Sequence, residues 1–305
     1  QEKVQYHNLA YVVIDEQHRF GVSQRIELTN KAQIVDLLVM TATPIPRSLT
    51  LTIFGDMPVS RLTAKPRGRL PIITSSLHKN SISQLYDSLT NILAKGEKIF
   101  WVCPLIENDE EKQTYVDVIT RSRDLELIFP NQVLHIHGKM KSKEKDRIML
   151  EFQAGNCGIL VATTVIEVGI DIKEASLIII ENAEKFGLAQ IHQLRGRVGR
   201  SNKQSYCILL YGHILSANAK QRINILKNSS DGFVIAEEDL VLRGGGDILG
   251  NKQSGEQNFY FADLTRDKDL LIKAHKLALA GDPHNDQDNL VNIFNKDKSS
   301  FTAGG

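Results

Sequence analysis

No apolar run in this sequence approaches the roughly 18 residues that a helical membrane span requires, and no secretory leader pattern opens it, so no membrane contact is expected. Cysteine is scarce. Cys103, Cys157 and Cys207 lie in apolar, strand-like stretches, with no Cys-x-x-Cys pair and no metal spacing among them. They read as buried thiols in a reducing compartment. An excess of either charge is nearly absent, at +1 overall, so any nucleic-acid surface must be a local patch. Internal repeats and low-complexity tracts are missing too. One further absence has chemical weight. No Gly-x-x-x-x-Gly-Lys-[Ser/Thr] occurs anywhere, so the glycine loop and lysine that cradle phosphates in P-loop proteins are not among these residues.

The 305 residues suffice for two domains with sizeable cores, and 42% hydrophobic with 24% charged residues is an ordinary globular balance. The chain opens on Gln1 shortly before a strand, and a piece of a longer protein is expected. The first block, 1–64, holds apolar runs at Leu9–Ile14 and Asp36–Met40. The first suits a strand buried on both faces. Pro44 and Pro46 stop regular structure after the second. Residues 65–71, with two prolines and a glycine among charges, read as a linker. From 72 to 212 the pattern alternates. Strands are expected at Ile72–Leu77, Ile99–Cys103, Val133–Ile136, Gly158–Ala162, Leu177–Ile180 and Tyr206–Tyr211. Helices are expected at Ser81–Ala94, 111–124, Ser142–Phe152 (capped by Ser142) and 189–198. Such alternation means βαβ units and a parallel sheet, with the loops after the strands on one edge. Over 213–265 the alternation breaks into helices at 215–227 and 236–242 and then an irregular segment. Residues 266–305 form a last helix and a polar tail expected to be disordered.

Four features follow in order along these blocks. The first strand ends in Asp15-Glu16-Gln17-His18. Ligands of open α/β sheets bind at the carboxyl ends of strands, so this acid pair stands where a nucleotide would sit. Asp15 can hold the water shell of Mg²⁺, and Glu16 can orient and deprotonate the attacking water. A strand that merely ends in a polar turn leaves the same trace. The second feature is Thr41-Ala42-Thr43, which alone could be a helix cap. The third is Ala162-Thr163-Thr164 running through Glu167-Val168-Gly169-Ile170-Asp171, where Gly169–Asp171 alone could be a turn. The fourth, Gln193-Leu194-Arg195-Gly196-Arg197-Val198-Gly199-Arg200, alone could be a solvated basic helix. Gly196 and Gly199, however, let backbone or phosphate approach. Arg197 and Arg200, three apart, would share a helix face, and guanidinium groups grip phosphate oxygens bidentately.

In this order on two α/β blocks, the four features resemble motifs II, III, V and VI of the superfamily 2 helicases. Asp-Glu-Gln-His-Arg-Phe-Gly-Val (15–22) and Met-Thr-Ala-Thr-Pro-Ile-Pro-Arg (40–47) resemble the RecG family of bacterial ATP-dependent DNA helicases. Asp231–Leu240, Leu242-Arg243-Gly244, Leu249-Gly250 and Gln253-Ser254-Gly255 are similar to that family's translocation motif, a helical hairpin and loop. The transcription-repair coupling factor shares the first two motifs and much of the hairpin, but typically has Glu where this chain has Gln17. The resemblance covers about residues 1–280. Gly244-Gly245-Gly246 departs from it, since the family usually has a proline inside this triplet; three glycines loosen the loop.

The resemblance implies tandem RecA-like domains with parallel sheets, the first incomplete, plus the hairpin. In the family, the phosphate loop lies upstream, with the wedge domain that grips branched DNA. The cofactors implied are ATP and Mg²⁺. The implied partner is branched double-stranded DNA, forks and Holliday junctions, with single-stranded DNA-binding protein as a further one. A monomer in the bacterial cytoplasm, associated with the nucleoid, is expected. By position, Asp15 would hold the Mg²⁺ through water and Glu16 would be the base. Arg197 and Arg200 would meet the γ-phosphate, with Gln193 alongside. Gly169 and Asp171 would meet the nucleotide, Asp171 at its sugar, and Thr163 and Thr164 would lie near the DNA backbone. His18, Thr41, Ala42 and Thr43 would couple nucleotide state to domain closure, and Arg243 and Gln253 would relay that closure to the duplex. The alternative is a catalytically silent nucleic-acid-binding fragment.

Three other features carry less. His135 and His137 have no further ligand at metal spacing. Trp101, inside an apolar strand, reads as core. Asp109-Glu110-Glu111-Lys112 reads as a solvated helix start.

Overall fold

The computed structural model describes residues 4, 6–16, 35–44, 58–64, 68–104, 111–164, 172–212, 214–243 and 267–280. Two compact units divide the chain: Gln1–Met57 with Leu249–Gly305, and Pro58–Ile248.

In the first unit, β1 (Tyr11–Ile14) and β2 (Asp36–Val39) pair in parallel, Tyr11 opposite Asp36 and Ile14 opposite Val39. Successive strand residues face opposite sides. Val12 and Ile14 are buried, whereas Tyr11 and Val13 are 56% and 49% exposed. This corrects the expectation of a strand buried on both faces: only the Val12/Ile14 face is covered. A helix, Lys268–Ala280, also belongs to this unit, with Asp269 in its first turn where the helix dipole favours an acid. The tail from Gly281 lies outside the described residues.

The second unit is built on six parallel strands. They are β3 (Ile73–His78), β4 (Lys98–Val102), β5 (Val133–Ile136), β6 (Ile159–Ala162), β7 (Ala175–Ile180) and β8 (Tyr206–Tyr211), in the spatial order β3-β8-β7-β4-β6-β5. The central strands β4, β6 and β7 are buried along their whole length. That explains their near-continuous apolar runs. Alternate residues feed two layers. Phe100, Val102, Leu160, Ile178 and Ile180 join one apolar cluster. It includes Ile148 and Phe152 of α3 (Ser142–Ala154), Ile191 and Leu194 of α4 (Leu188–Arg195), Ile223 and Leu226 of α5 (Ala217–Asn228), and Ile235 of α6 (Gly232–Arg243). Ile99, Trp101, Val161 and Ile179 join the other cluster, with Leu89 of α1 (Tyr86–Ala94) and Val118 and Leu125 of α2 (Glu111–Ile128). Lys98 belongs to neither layer chemically. It buries its stem and donates from Nζ to the Gln153 carbonyl at 2.9 Å. Cys103, Cys157 and Cys207 are all buried free thiols, and burial holds Cys207 up at about 12.

Several boundaries differ from the sequence pattern for local reasons. The expected helix Ser81–Ala94 is split. A 3₁₀ segment, Lys79–Leu85, with Ser81 off the helical region at φ −101°, precedes α1. α3 begins after Lys141 without a side-chain cap, so Ser142 is its first residue and not the cap. α5 starts at Ala217 because the Ser216 hydroxyl accepts the Ala219 N–H at 3.2 Å. α6 reaches back to Gly232 because Asp231 Oδ1 accepts the Phe233 N–H at 2.8 Å.

At the carboxyl ends of β4 and β7, the Trp101 Nε1–H donates to Glu181 Oε1 at 2.9 Å. Arg121 of α2 forms a salt bridge with the same oxygen and stacks 5.4 Å from the indole centroid. Burial alone would lower the Arg121 pKa, but Glu181 beside it leaves it raised. The Glu181 side chain is 15% exposed. Glu181→Ala leaves the indole donor without its acceptor and Arg121 with Asp124 alone, at 3.5 Å, and should cost about 1–3 kcal/mol. Urea unfolding followed by fluorescence of Trp101, the single tryptophan, reads this directly. An unchanged midpoint would show the cluster to be energetically idle.

Candidate functional site

β1 ends at Ile14, and the next two residues are the acid pair. Asp15 is exposed and Glu16 half-buried. Glu16 takes φ +52°, the left-handed region that side chains rarely adopt. Its N–H donates to Asp15 Oδ1 at 2.8 Å, which helps hold the turn. Non-glycine residues held in this region cluster at functional sites. The Met40 N–H donates to the Ile14 carbonyl at 2.7 Å, so the ladder runs one residue past β2. This brings Thr41–Thr43 beside the acid pair on the sheet's carboxyl edge. There the Thr41 hydroxyl accepts the Thr43 N–H and donates to the Thr43 carbonyl, both at 3.1 Å. The triplet is thus a hydroxyl-closed turn. His18 lies outside the described residues.

In the second unit, Thr163 and Thr164 directly follow β6 on the carboxyl edge. Thr163 is 1% exposed and its hydroxyl is enclosed without a hydrogen-bond partner, while Thr164 is half-buried. Of the two, Thr164 presents the surface. Gly169 and Asp171 lie outside the described residues.

Gln193 sits half-buried on α4. The helix stops at Arg195, so Arg197 and Arg200 do not share a helix face as expected. Tight turns follow instead. The Arg197 N–H bonds the Leu194 carbonyl at 2.9 Å and the Val198 N–H bonds the Arg195 carbonyl at 3.3 Å. Gly199 then adopts φ +75°. A Cβ on Gly199 would stand 3.0 Å from the Ile72 side chain, so this glycine serves chain reversal and packing. Arg197 and Arg200 are both half-buried, and Arg200 Nε reaches back to the Gly196 carbonyl at 3.4 Å.

Arg195 is the residue whose role sequence reasoning missed. It is 3% exposed. It donates to the carbonyls of Leu226 at 2.8 Å and Ser229 at 2.9 Å, and to the Thr74 hydroxyl at 3.3 Å. Burial pulls its pKa down. It therefore grips the corner between α5 and α6 from the same segment that carries Arg197. A signal existed: Leu188, Ile191 and Arg195 follow helical spacing, which puts a charge in the apolar stripe. Arg243 closes α6, and Gln253 lies outside the described residues. Among the described residues, no group of acids, histidines and cysteines could hold a metal ion on its own, His135 and His137 included.

A fully parallel sheet with Thr163-Thr164 on its carboxyl edge, and with the Gln193–Arg200 segment between β7 and β8, is that of a RecA-like helicase domain. A profile for the helicase conserved C-terminal domain matches residues 84–202. A second, for ATP-dependent DNA helicase RecG, domain 3, C-terminal, matches 229–299. The ATP-dependent DNA helicase RecG of Acidithiobacillus ferridurans is 47% identical over 279 residues, 91% of this chain and 41% of its own length. That of Escherichia coli (strain K12) is 45% identical over 284 residues, again 91% and 41%. The solved structure of RecG bound to a three-way DNA junction superposes with a TM-score of 0.67 at 41% identity, covering 88% of this chain and 34% of that one. The DUF1998 helicase MrfA bound to DNA and AMPPNP, at 17% identity, TM-score 0.52, and coverage of 89% and 40%, shares the fold. The chain belongs to the RecG family, and it spans about two fifths of the length of the curated relatives it matches.

Proposed function

We propose that this chain is the C-terminal helicase portion of an ATP-dependent double-stranded DNA translocase that remodels stalled forks and Holliday junctions in recombination and repair. The observation that carries the reading is the Arg195 grip. One segment holds both Arg197 and Arg200, proposed here for phosphate, and the buried Arg195 that holds the hairpin corner. The relatives' name and the junction-bound neighbour support it. The division proposed is 1–64 for the first RecA-like domain, 65–71 for the linker, 72–212 for the second domain, 213–265 for the hairpin and loop, and 266–305 for the C-terminal helix and tail.

The residues present fit ATP and Mg²⁺. Asp15 is an exposed hard oxygen donor suited to a hydrated Mg²⁺, and Arg197 and Arg200 supply guanidinium groups for phosphate. Bound ATP supplies the phosphoanhydride whose hydrolysis drives the cycle. Asp15 would hold a hydrated Mg²⁺, which would offset phosphate charge, and Glu16 would take the proton of the attacking water. Gln193, Gly169 and Asp171 would hold the nucleotide, and Arg197 and Arg200 would meet its γ-phosphate. Thr41–Thr43 and His18 couple the acid pair to closure. Thr164 meets the DNA backbone with Thr163 buried behind it, Arg195 carries closure to the hairpin, and Arg243 and Gln253 relay it to the duplex. The protein works as a monomer on branched DNA in the bacterial cytoplasm at the nucleoid, with single-stranded DNA-binding protein as a further partner.

The missing phosphate loop favours a second reading for these residues alone, a catalytically silent nucleic-acid-binding fragment. ATP hydrolysis with forked DNA separates the two, measured on this chain and on a longer protein that adds the loop. The chain alone should show no DNA-stimulated turnover above background, and the longer protein should show stimulated turnover and fork unwinding. A robust stimulated rate from the chain alone would refute the need for the added loop. No stimulation in the longer protein would refute the helicase reading.

A further inference from the structure

The chain passes between its two units twice, after Met57 and after Ile248. The segment that follows the first crossing, where described, touches the rest of the second unit at Arg61, Gly68 and Pro71. The Gln204 amide donates to the Pro71 carbonyl at 2.8 Å. Gly68, at φ +86°, passes so close to Asn202 that a Cβ would stand 2.8 Å from its Oδ1. These contacts fall on the loop just after Arg200. Nearer the crossing, the Arg61 guanidinium lies 5.2 Å from the ring centroid of Phe233.

Phe233 is the second residue of α6, the helix that leads toward the second crossing. It stands at the hairpin corner whose Ser229 carbonyl Arg195 grips at 2.9 Å. Asp231 organises the same corner, with Oδ1 accepting the Phe233 N–H at 2.8 Å and its carbonyl accepting the Ile235 N–H at 3.1 Å. The corner is therefore held by two arginines of different kinds. Arg195 is buried and bound to carbonyls. Arg61 is exposed and lies over a ring face, a contact that makes and breaks at small cost. Arginine suits that task because its planar cation stacks on an aromatic face and keeps its charge.

We propose that Arg61 is a positioning residue: through Phe233 it ties the segment at the first crossing to the hairpin corner, so that a displacement of that segment moves the hairpin. This rests on the helicase reading above for its consequence, though not for the contact itself.

The test has two arms. In this chain, hydrogen exchange at the Phe233 and Ile235 amides reads the corner. Arg61→Ala should speed it by about threefold or more, with the amides of β4 and β7 unmoved. Phe233→Leu should do the same at Ile235, and the double variant should go no further than either single one. In the longer protein, Arg61→Ala should lower base pairs unwound per ATP by about threefold with turnover within about twofold, and Arg61→Lys, which keeps the cation but not the planar stack, should restore only part of the loss. Unchanged exchange in Arg61→Ala, additive effects in the double variant, or an unchanged ratio of unwinding to hydrolysis would each overturn the proposal. A wild-type longer protein that neither hydrolyses ATP nor unwinds forks counts against the helicase reading instead, and the exchange arm then decides this one.

Discussion

Changing Arg197 or Arg200 to alanine in a longer protein with the complete nucleotide site should abolish ATP turnover in at least one case, while forked-DNA binding stays nearly intact. An arginine finger typically contributes roughly 10³–10⁵ in rate, or about 4–7 kcal/mol of barrier. Arg197 and Arg200 are the two residues proposed for that role. Both are half-buried and follow the end of α4, whereas Arg195, two residues earlier, is 3% exposed and spent on the hairpin carbonyls. Lysine at the responsible position should not rescue, because a point charge cannot reproduce bidentate contact with phosphate oxygens. Arg195→Ala should behave differently. It removes the grip on Leu226 and Ser229, so unwinding should fall together with thermal stability. Steady-state ATP hydrolysis with saturating forked DNA separates these outcomes. Wild-type turnover in both Arg197→Ala and Arg200→Ala would exclude the finger role.

Much of the second unit was legible because its signals are periodic. Val133–Ile136 and Tyr206–Tyr211 appear as strands with the expected bounds, since apolar runs with sharp polar or turn edges leave little choice of ends. Trp101, placed in the core by its apolar neighbours, is fully buried. What was not legible depends on geometry that residue type alone does not carry. Ser142 looks like a cap, yet Lys141 occupies that position and no side chain caps the helix. The run from Gln193 to Arg200 reads as helix because arginine and leucine favour one. The chain nevertheless turns at Gly196, and Gly199 is left-handed with Ile72 packed against it. β1 is apolar throughout but has only one covered face, because burial depends on what packs over a strand as well as on its composition. The proximity of Asp15-Glu16 to Thr41–Thr43 followed from the parallel pairing of two strands. The Arg61–Phe233 contact joins residues far apart in sequence and had no local signature.

The central claim is that the acid pair after β1 is the hydrolytic centre of an ATP-driven DNA motor. Glu16→Gln tests it with little disturbance. Glutamine keeps the shape and the left-handed backbone demand of the position at φ +52°, and the Glu16 N–H bond to Asp15 does not involve the side chain that changes. What disappears is the carboxylate proposed as the acceptor of the water's proton. Loss of a general base typically costs 10²–10⁴ in rate, about 3–5 kcal/mol of barrier. Single-turnover ATP hydrolysis in the longer protein on forked DNA, with nucleotide affinity measured on the same preparation, is the most direct measurement. The variant should bind ATP within about twofold of wild type and hydrolyse it at least about 100-fold more slowly. Hydrolysis by Glu16→Gln at the wild-type rate would contradict the account.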